Sequence, residues 1–289
     1  MISEEFPVGK QGSVEPDDGW EPPRIDTSTA HPARMYDYYL GGKDNFPADR
    51  EAAEKVIAAG LYAREFARAN RAFLGRAVRF LSEQGIDQFL DIGTGIPAVG
   101  NTHEVAQETN PAAKIVYVDN DPIVLTHARA LMAGHGLGAT TVIQADLRDP
   151  AAILAHPKVR AAIAFDRPVG LILAAVLHFV REGEDPDGIT ALLRDALPSG
   201  SHVVISHGTG DSIQPGPAKG ADEITGVYKE RSTSALTLRG KDRIAEFFGD
   251  FELVEPGLVS APFWRPTEEI SDNIIYHVIA GYGGVARKT

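Results

Sequence analysis

From residue 88 to residue 208 the chain alternates short apolar runs with longer segments whose apolar residues recur three and four apart. The runs are "QFLDI", "KIVYVD", "TTVIQAD", "VGLILAAVLHF" and "HVVISHG". Each is apolar at consecutive positions instead of every second one. That is the pattern of parallel strands covered on both faces. Helical periodicity falls between them: from about Ala98 to Thr109, over "PIVLTHARALMAG" with Pro122 in its first turn, and around Asp187–Leu197. Strands joined by helices of this length predict right-handed crossovers.

The last third breaks the alternation. "GDSIQPGPAKGADEITGVYKE" reads as an insertion with one polar helix, "KDRIAEFFGD" as an amphipathic helix, and "FELVEPGLV" and "NIIYHVIAGY" as two final strands. The intervening "SAPFWRPTEEISD" has no room for a packed crossover helix, so those strands pair antiparallel if they pair. The expected fold is α/β, a Rossmann-like seven-stranded sheet that is mostly parallel and ends in an antiparallel pair. At the other end, residues 1–30 are rich in Pro, Gly and acidic residues and read as a flexible tail. Residues 31–86 form a helical cover: an aromatic-dense block, a helix from about Ala48, and another carrying Phe66, Phe73, Leu74, Val78 and Leu81 on one face, stopped by Gly85. Residues 87–289 make the main domain.

Composition narrows the partners. The 289 residues carry a formal net charge of -12. That opposes approach to nucleic acid or anionic membranes, since both depend on Lys and Arg. Cysteine is absent, which excludes disulfides and thiolate metal sites. The N-terminus lacks a secretory pattern, and no apolar run approaches the ~20 residues needed to span a bilayer. We expect a soluble cytoplasmic protein with no nucleic-acid or membrane partner.

The segment "DIGTGIPAVGNTH" carries the sharpest chemical signal. Read as a triphosphate loop it has Asn101 in place of lysine, and Pro97 removes a backbone donor. Read as a dinucleotide fingerprint, Ala98 stands at the third glycine and Asp119 follows 21 residues later, near the expected ribose acid. Spacing alone therefore does not exclude NAD. Asp91 weighs against it, because a carboxylate two residues before Gly93 would face an anionic pyrophosphate at short range. A cationic ligand suits it better.

"FLDIGTG" resembles motif I of the class I S-adenosylmethionine-dependent methyltransferases, "VYVDND" their ribose-binding acid, and "QADLRD" their third-strand acid. Together with "PARMYDYYLGGKDNF" and "NRAFLGRAVRFL", the chain from about Pro32 onward resembles a family of uncharacterised methyltransferase-like proteins common in actinomycetes. The resemblance implies S-adenosyl-L-methionine as cofactor. Gly93, Thr94 and Gly95 would form the turn against the methionine portion, and Asp119 would accept from the ribose diol. Asp146 would accept from the adenine amino group, with Asn120 and Leu147 lining the ring. Asp91 would meet positive charge, Arg71 would reach the methionine carboxylate, and Asn101 would stand at the pocket mouth.

Beyond the cofactor the signals thin out. The fourth strand lacks the "[D/N]PP[Y/F]" signature of exocyclic-amine nucleic-acid methyltransferases. "VLHF" instead resembles small-molecule methyltransferases, making His178 the candidate general base. Its alternative is a hydrogen-bonded structural histidine. His202 and His207 have no carboxylate at ligand spacing, so no metal is expected. Tyr36, Tyr39, Lys43 and Asn45 are candidate lid or substrate residues, bent over the site at Gly41-Gly42. Phe263 and Trp264 either line an acceptor pocket or plug a hydrophobic gap. The expected function is methyl transfer to a small-molecule acceptor. The alternatives are a non-catalytic S-adenosylmethionine-binding or regulatory protein, and an NAD(P)-dependent oxidoreductase.

Overall fold

Successive side chains on five apolar strands point to opposite faces of one sheet, and each face buries its own core. A computed structural model describes residues 25–59, 62–132, 139–211, 220–267, 269–270 and 281–289. The parallel strands are β1 (Gln88–Ile92), β2 (Lys114–Asp119), β3 (Thr140–Gln144), β4 (Gly170–Ala174) and β5 (His202–Gly208). Three further strands complete the sheet: β6 (Glu252–Leu253), β7 (Val259–Ser260) and β8 (Gly281–Arg287). The order is β3-β2-β1-β4-β5-β8-β6, with β7 also on β8 and every contact of β8 antiparallel.

This is the expected seven-strand path, with one strand split. "FELVEPGLV" breaks into β6 and β7 because Pro256 and Gly257, at φ 86°, turn the chain between them. The expected strand "NIIYHVIAGY" falls mainly on 271–280, outside the described residues. The strand that pairs with β5 starts at Gly281, and its "GYGGVAR" is too glycine-rich to carry a strand signal.

On one face, α3 (Ala63–Glu83) and α4 (Thr102–Thr109) cover the sheet. Phe73, Leu74, Val78 and Leu81 of α3 meet Phe89, Ile115, Ile172 and Val204. Trp264 joins this core fully buried, its ring edge-on to Phe73 at 5.5 Å and Phe80 at 5.8 Å. Arg76 ties its segment down by donating to the carbonyls of Trp264 and Ala261, both at 2.8 Å. "SAPFWRP" thus plugs the core. The other face holds α6 (Pro150–Ala155), α7 (Pro157–Ala162), α8 (Pro186–Asp195) and α10 (Lys241–Glu246). There Ile153, Val159, Leu193 and Phe247 pack with Leu90, Val116, Leu171 and Val203. Each such side chain taken fully from water contributes roughly 1.5–3 kcal/mol.

Above the C-terminal ends of the strands lies a separate helical roof. It comprises α1 (Pro32–Leu40), α2 (Pro47–Ala58) and α9 (Ala221–Arg231), packed through Met35, Tyr39, Ala53, Val56, Ile224 and Tyr228. A buried ion pair fastens it to the sheet: Arg34 Nε lies 3.2 Å from Asp121, just beyond β2 and before α5 (Pro122–Met132). Among the described residues no helix is long and apolar enough to cross a membrane.

Candidate functional site

Parallel register aligns the C-terminal strand ends on one rim, with Asp91 opposite Tyr117 and Asp119 opposite Gln144. Asp91, Asp119 and Asp146 therefore stand side by side at the ends of β1, β2 and β3. The turn after β1 requires its glycines. Gly93 has φ 77°, and a Cβ there would fall 2.3 Å from Val176 Cγ2. Gly95 has φ 69° and donates its backbone N–H to Asp119 Oδ2 at 2.8 Å.

The two inner carboxylates are buried without a cationic side-chain partner among the described residues. Asp91 Oδ2 accepts from the Thr102 hydroxyl at 2.6 Å, and Asp119 Oδ1 from the Asp121 backbone at 2.9 Å. Burial raises both to about 6, since desolvation penalises the ionised form. Asp146 is more open and already holds Arg148 at 3.1 Å.

These groups line a cavity of about 180 Å³. Of the residues singled out in the sequence, it brings together Asp91, Gly93, Thr94, Gly95, Asp119, Asn120, Asp146, Leu147, Arg71, His178, Tyr36 and Tyr39. Arg71 enters from α3. Its terminal nitrogen donates to the Val99 and Gly100 carbonyls at 3.2 and 3.0 Å, while its Nε is buried with no partner. A buried unpaired guanidinium nitrogen is costly; Arg71 itself is among the residues that line the cavity with Asp91.

Three expected residues lie elsewhere. Asn101 caps α4, with Oδ1 accepting from Ala98 at 3.0 Å and its backbone donating to Glu104. Asn45 donates to Asp37 at 2.8 Å inside the Gly41-Gly42 bend, and Lys43 is exposed. That bend closes on Asp37, so it does not fold over the cavity.

The cavity continues into an apolar chamber under the roof, lined by Tyr36, Tyr39, Phe66, Phe179, Tyr228 and Leu236. Tyr228 and Leu236 were missed in the sequence because they belong to the insertion after β5 and the loop that follows it. The Ile224–Tyr228 spacing was the available signal: an i,i+4 apolar pair in an otherwise polar helix.

His178 lies buried in the 3-10 turn Leu177–Phe179 after β4. Its Nδ1 accepts from the Gly208 backbone N–H at 3.1 Å. Burial, then His207 and Arg239, hold it well below the ordinary imidazole range. An imidazole whose charged form is so disfavoured is a weak proton acceptor, which argues against the general-base role expected of it.

A doubly covered parallel sheet with an antiparallel edge, acids at three successive strand ends and a glycine turn between the first two define a Rossmann-like, nucleotide-cofactor-binding transferase. The sequence pattern of the S-adenosyl methyltransferase family matches residues 18–289, and the chain belongs to that family. It is thus a methyltransferase with S-adenosyl-L-methionine as cofactor. Two solved structures are similar over nearly all of it. A DUF574 family protein from Streptomyces avermitilis MA-4680 is 44% identical with a TM-score of 0.86, covering 92% of this chain and 100% of its own. A candidate methyltransferase from Thermobifida fusca YX is 43% identical with a TM-score of 0.84, covering 94% of this chain and 100% of its own. No curated protein matches.

Proposed function

We propose that this protein methylates a small, flat, largely apolar molecule held in the chamber beneath the roof. The observation that carries the reading is the split character of one cavity. Its floor holds two buried carboxylates that form no ion pair among the described residues, with the Arg71 guanidinium near Asp91. Its upper part is lined mostly by aromatic and aliphatic side chains.

The floor fits the cofactor. Asp91 and Asp119 suit a positively charged amino acid portion and a ribose diol, and the Arg71 guanidinium suits the carboxylate. Asp91 also opposes a pyrophosphate, which weighs against an NAD(P)-dependent reaction. When bound, S-adenosyl-L-methionine supplies an electrophilic methyl carbon. The chain's part is to hold acceptor and donor in line and to keep water out. Positioning of this kind lowers barriers by converting an encounter into an intramolecular step.

Calorimetry with S-adenosylhomocysteine and with NAD tests the reading. We expect S-adenosylhomocysteine to bind and Asp119→Ala to weaken it by more than ~1.4 kcal/mol, tenfold in Kd. Binding of NAD in preference to S-adenosylhomocysteine overturns the proposal.

A further inference from the structure

Behind His178 runs a chain of hydrogen bonds whose directions leave no freedom. Arginine can only donate, so Arg239, 3.0 Å from His207 Nε2, makes that nitrogen an acceptor. A carbonyl can only accept, so Gly208 O, bonded to His207 Nδ1, requires the proton there. The Gly208 backbone N–H then donates to His178 Nδ1 at 3.1 Å. Neutral imidazole has one proton, and Nδ1 cannot carry it, so it resides on Nε2. Arg239 is itself buried and fixed by Glu182 at 2.6 Å and by the Leu177 and Val180 carbonyls at 3.1 and 2.7 Å. Among the described residues His178 Nε2 has no protein partner, and the residue lines the cavity.

The tyrosine hydroxyls of the chamber are also committed. Tyr36 donates to the Ala67 carbonyl and accepts from Asn70, both at 2.9 Å. Tyr39 and Tyr228 hydrogen-bond each other at 3.3 Å. Burial raises all three, Tyr36 and Tyr228 to about 12. The chamber thus offers an outward N–H donor, while its tyrosines and His178 are poorly suited to take a proton.

We propose that His178 is a hydrogen-bond donor to the acceptor's nucleophilic oxygen, and that the acceptor is an acidic phenol or enol bound as its anion. This rests on the methyltransferase reading above. An anionic oxygen has lone pairs to spare, so it can accept from Nε2–H with one and attack with another. A neutral amine has a single lone pair, which such a hydrogen bond would occupy. In the transfer, the oxygen forms the new bond to carbon as the carbon–sulfur bond breaks and its electron pair stays on sulfur. The acceptor's proton has gone to solvent before binding, so no protein group changes protonation.

Two measurements on the full-length protein test this. Long-range nitrogen–proton NMR of the histidine rings, with and without S-adenosylhomocysteine, reads the tautomers directly. We expect His178 protonated at Nε2 and unchanged between about pH 5 and 8, and His207 protonated at Nδ1. The titratable and charged neighbours packed against His178 are His207 and Arg239, so a shift in the His178 signals reports on this relay. Proton occupancy on His178 Nδ1, or titration near neutrality, overturns the inference. The second measurement uses 4-nitrophenol, whose anion absorbs visibly, in the S-adenosylhomocysteine complex. We expect it to bind with its ionisation moved down by about 1 unit. That shift is retained in His178→Gln, which keeps a donor, and lost in His178→Phe. Failure of the probe to bind, or a shift that survives His178→Phe, refutes the donor role or the acceptor class. Loss of S-adenosylhomocysteine binding would instead refute the cofactor site, and the apo-protein NMR would still judge His178.

Discussion

Acidification should act on this protein in two opposite directions through the same two carboxylates. Asp91 and Asp119 are buried and raised from 3.8 to about 6, mainly by desolvation. In the folded protein without ligand, a raised carboxyl favours the protonated form. Its ionisation therefore destabilises the fold above pH 6, and that cost fades as pH falls through 6 toward 3.8. The shift corresponds to at most about 3 kcal/mol for each group. Cofactor binding has the reverse sign, since an ammonium and a ribose diol both want the ionised acid. At pH 5 a group titrating near 6 is ionised about one time in ten, which costs roughly 1.4 kcal/mol per carboxylate. The two acids feel each other's charge and titrate as a pair. Calorimetry from pH 7.5 to 5 should show S-adenosylhomocysteine affinity falling by about ten- to a hundredfold. Asp91→Asn should bind more weakly at pH 7.5 and show a shallower pH dependence. Its free form should melt higher than the wild type at pH 7.5, with the advantage shrinking on acidification. The Thr102 hydroxyl at 2.6 Å keeps an acceptor in the substituted amide. A flat affinity profile, or an unchanged slope in Asp91→Asn, refutes the assignment of these acids to the cofactor.

Two further outcomes follow from single contacts. Arg71→Lys keeps the charge but removes the planar guanidinium, and should weaken S-adenosylhomocysteine by about 1.5–3 kcal/mol; an unaltered Kd by calorimetry would remove Arg71 from the carboxylate site. Trp264→Ala should lower the unfolding free energy by about 3–5 kcal/mol in chemical denaturation, because it empties a fully buried ring between Phe73 and Phe80; a loss below about 1 kcal/mol would show that the site collapses to fill the space.

Much of this molecule was legible in local pattern. The strand runs and their order along the chain follow from consecutive apolar residues, which suit a strand buried on both faces. The acids at the ends of β1, β2 and β3 were legible for the same reason: where a strand ends on a crowded rim, position along the chain nearly fixes position in space. The glycine turn was readable because a close approach such as Val176 against Gly93 excludes a side chain.

Side-chain direction was not local and could not be read. Asn101 and Arg71 both lie near the turn, yet Asn101 spends its amide on Ala98 and Glu104 while Arg71 lines the cavity. Lys43 and Asn45 sit in a promising glycine bend that closes on Asp37 instead. His178 shows the limit most clearly. Its residue type permits a base or a donor, and the choice is made by the Gly208 N–H and by Arg239, far along the chain. The sequence by itself determined the sheet, the turn and the charge that meets the cofactor, because those depend on periodicity and backbone sterics. Only the tertiary structure decided which ring nitrogen carries the proton and which aromatic residues line the chamber, because both are set by partners remote in sequence.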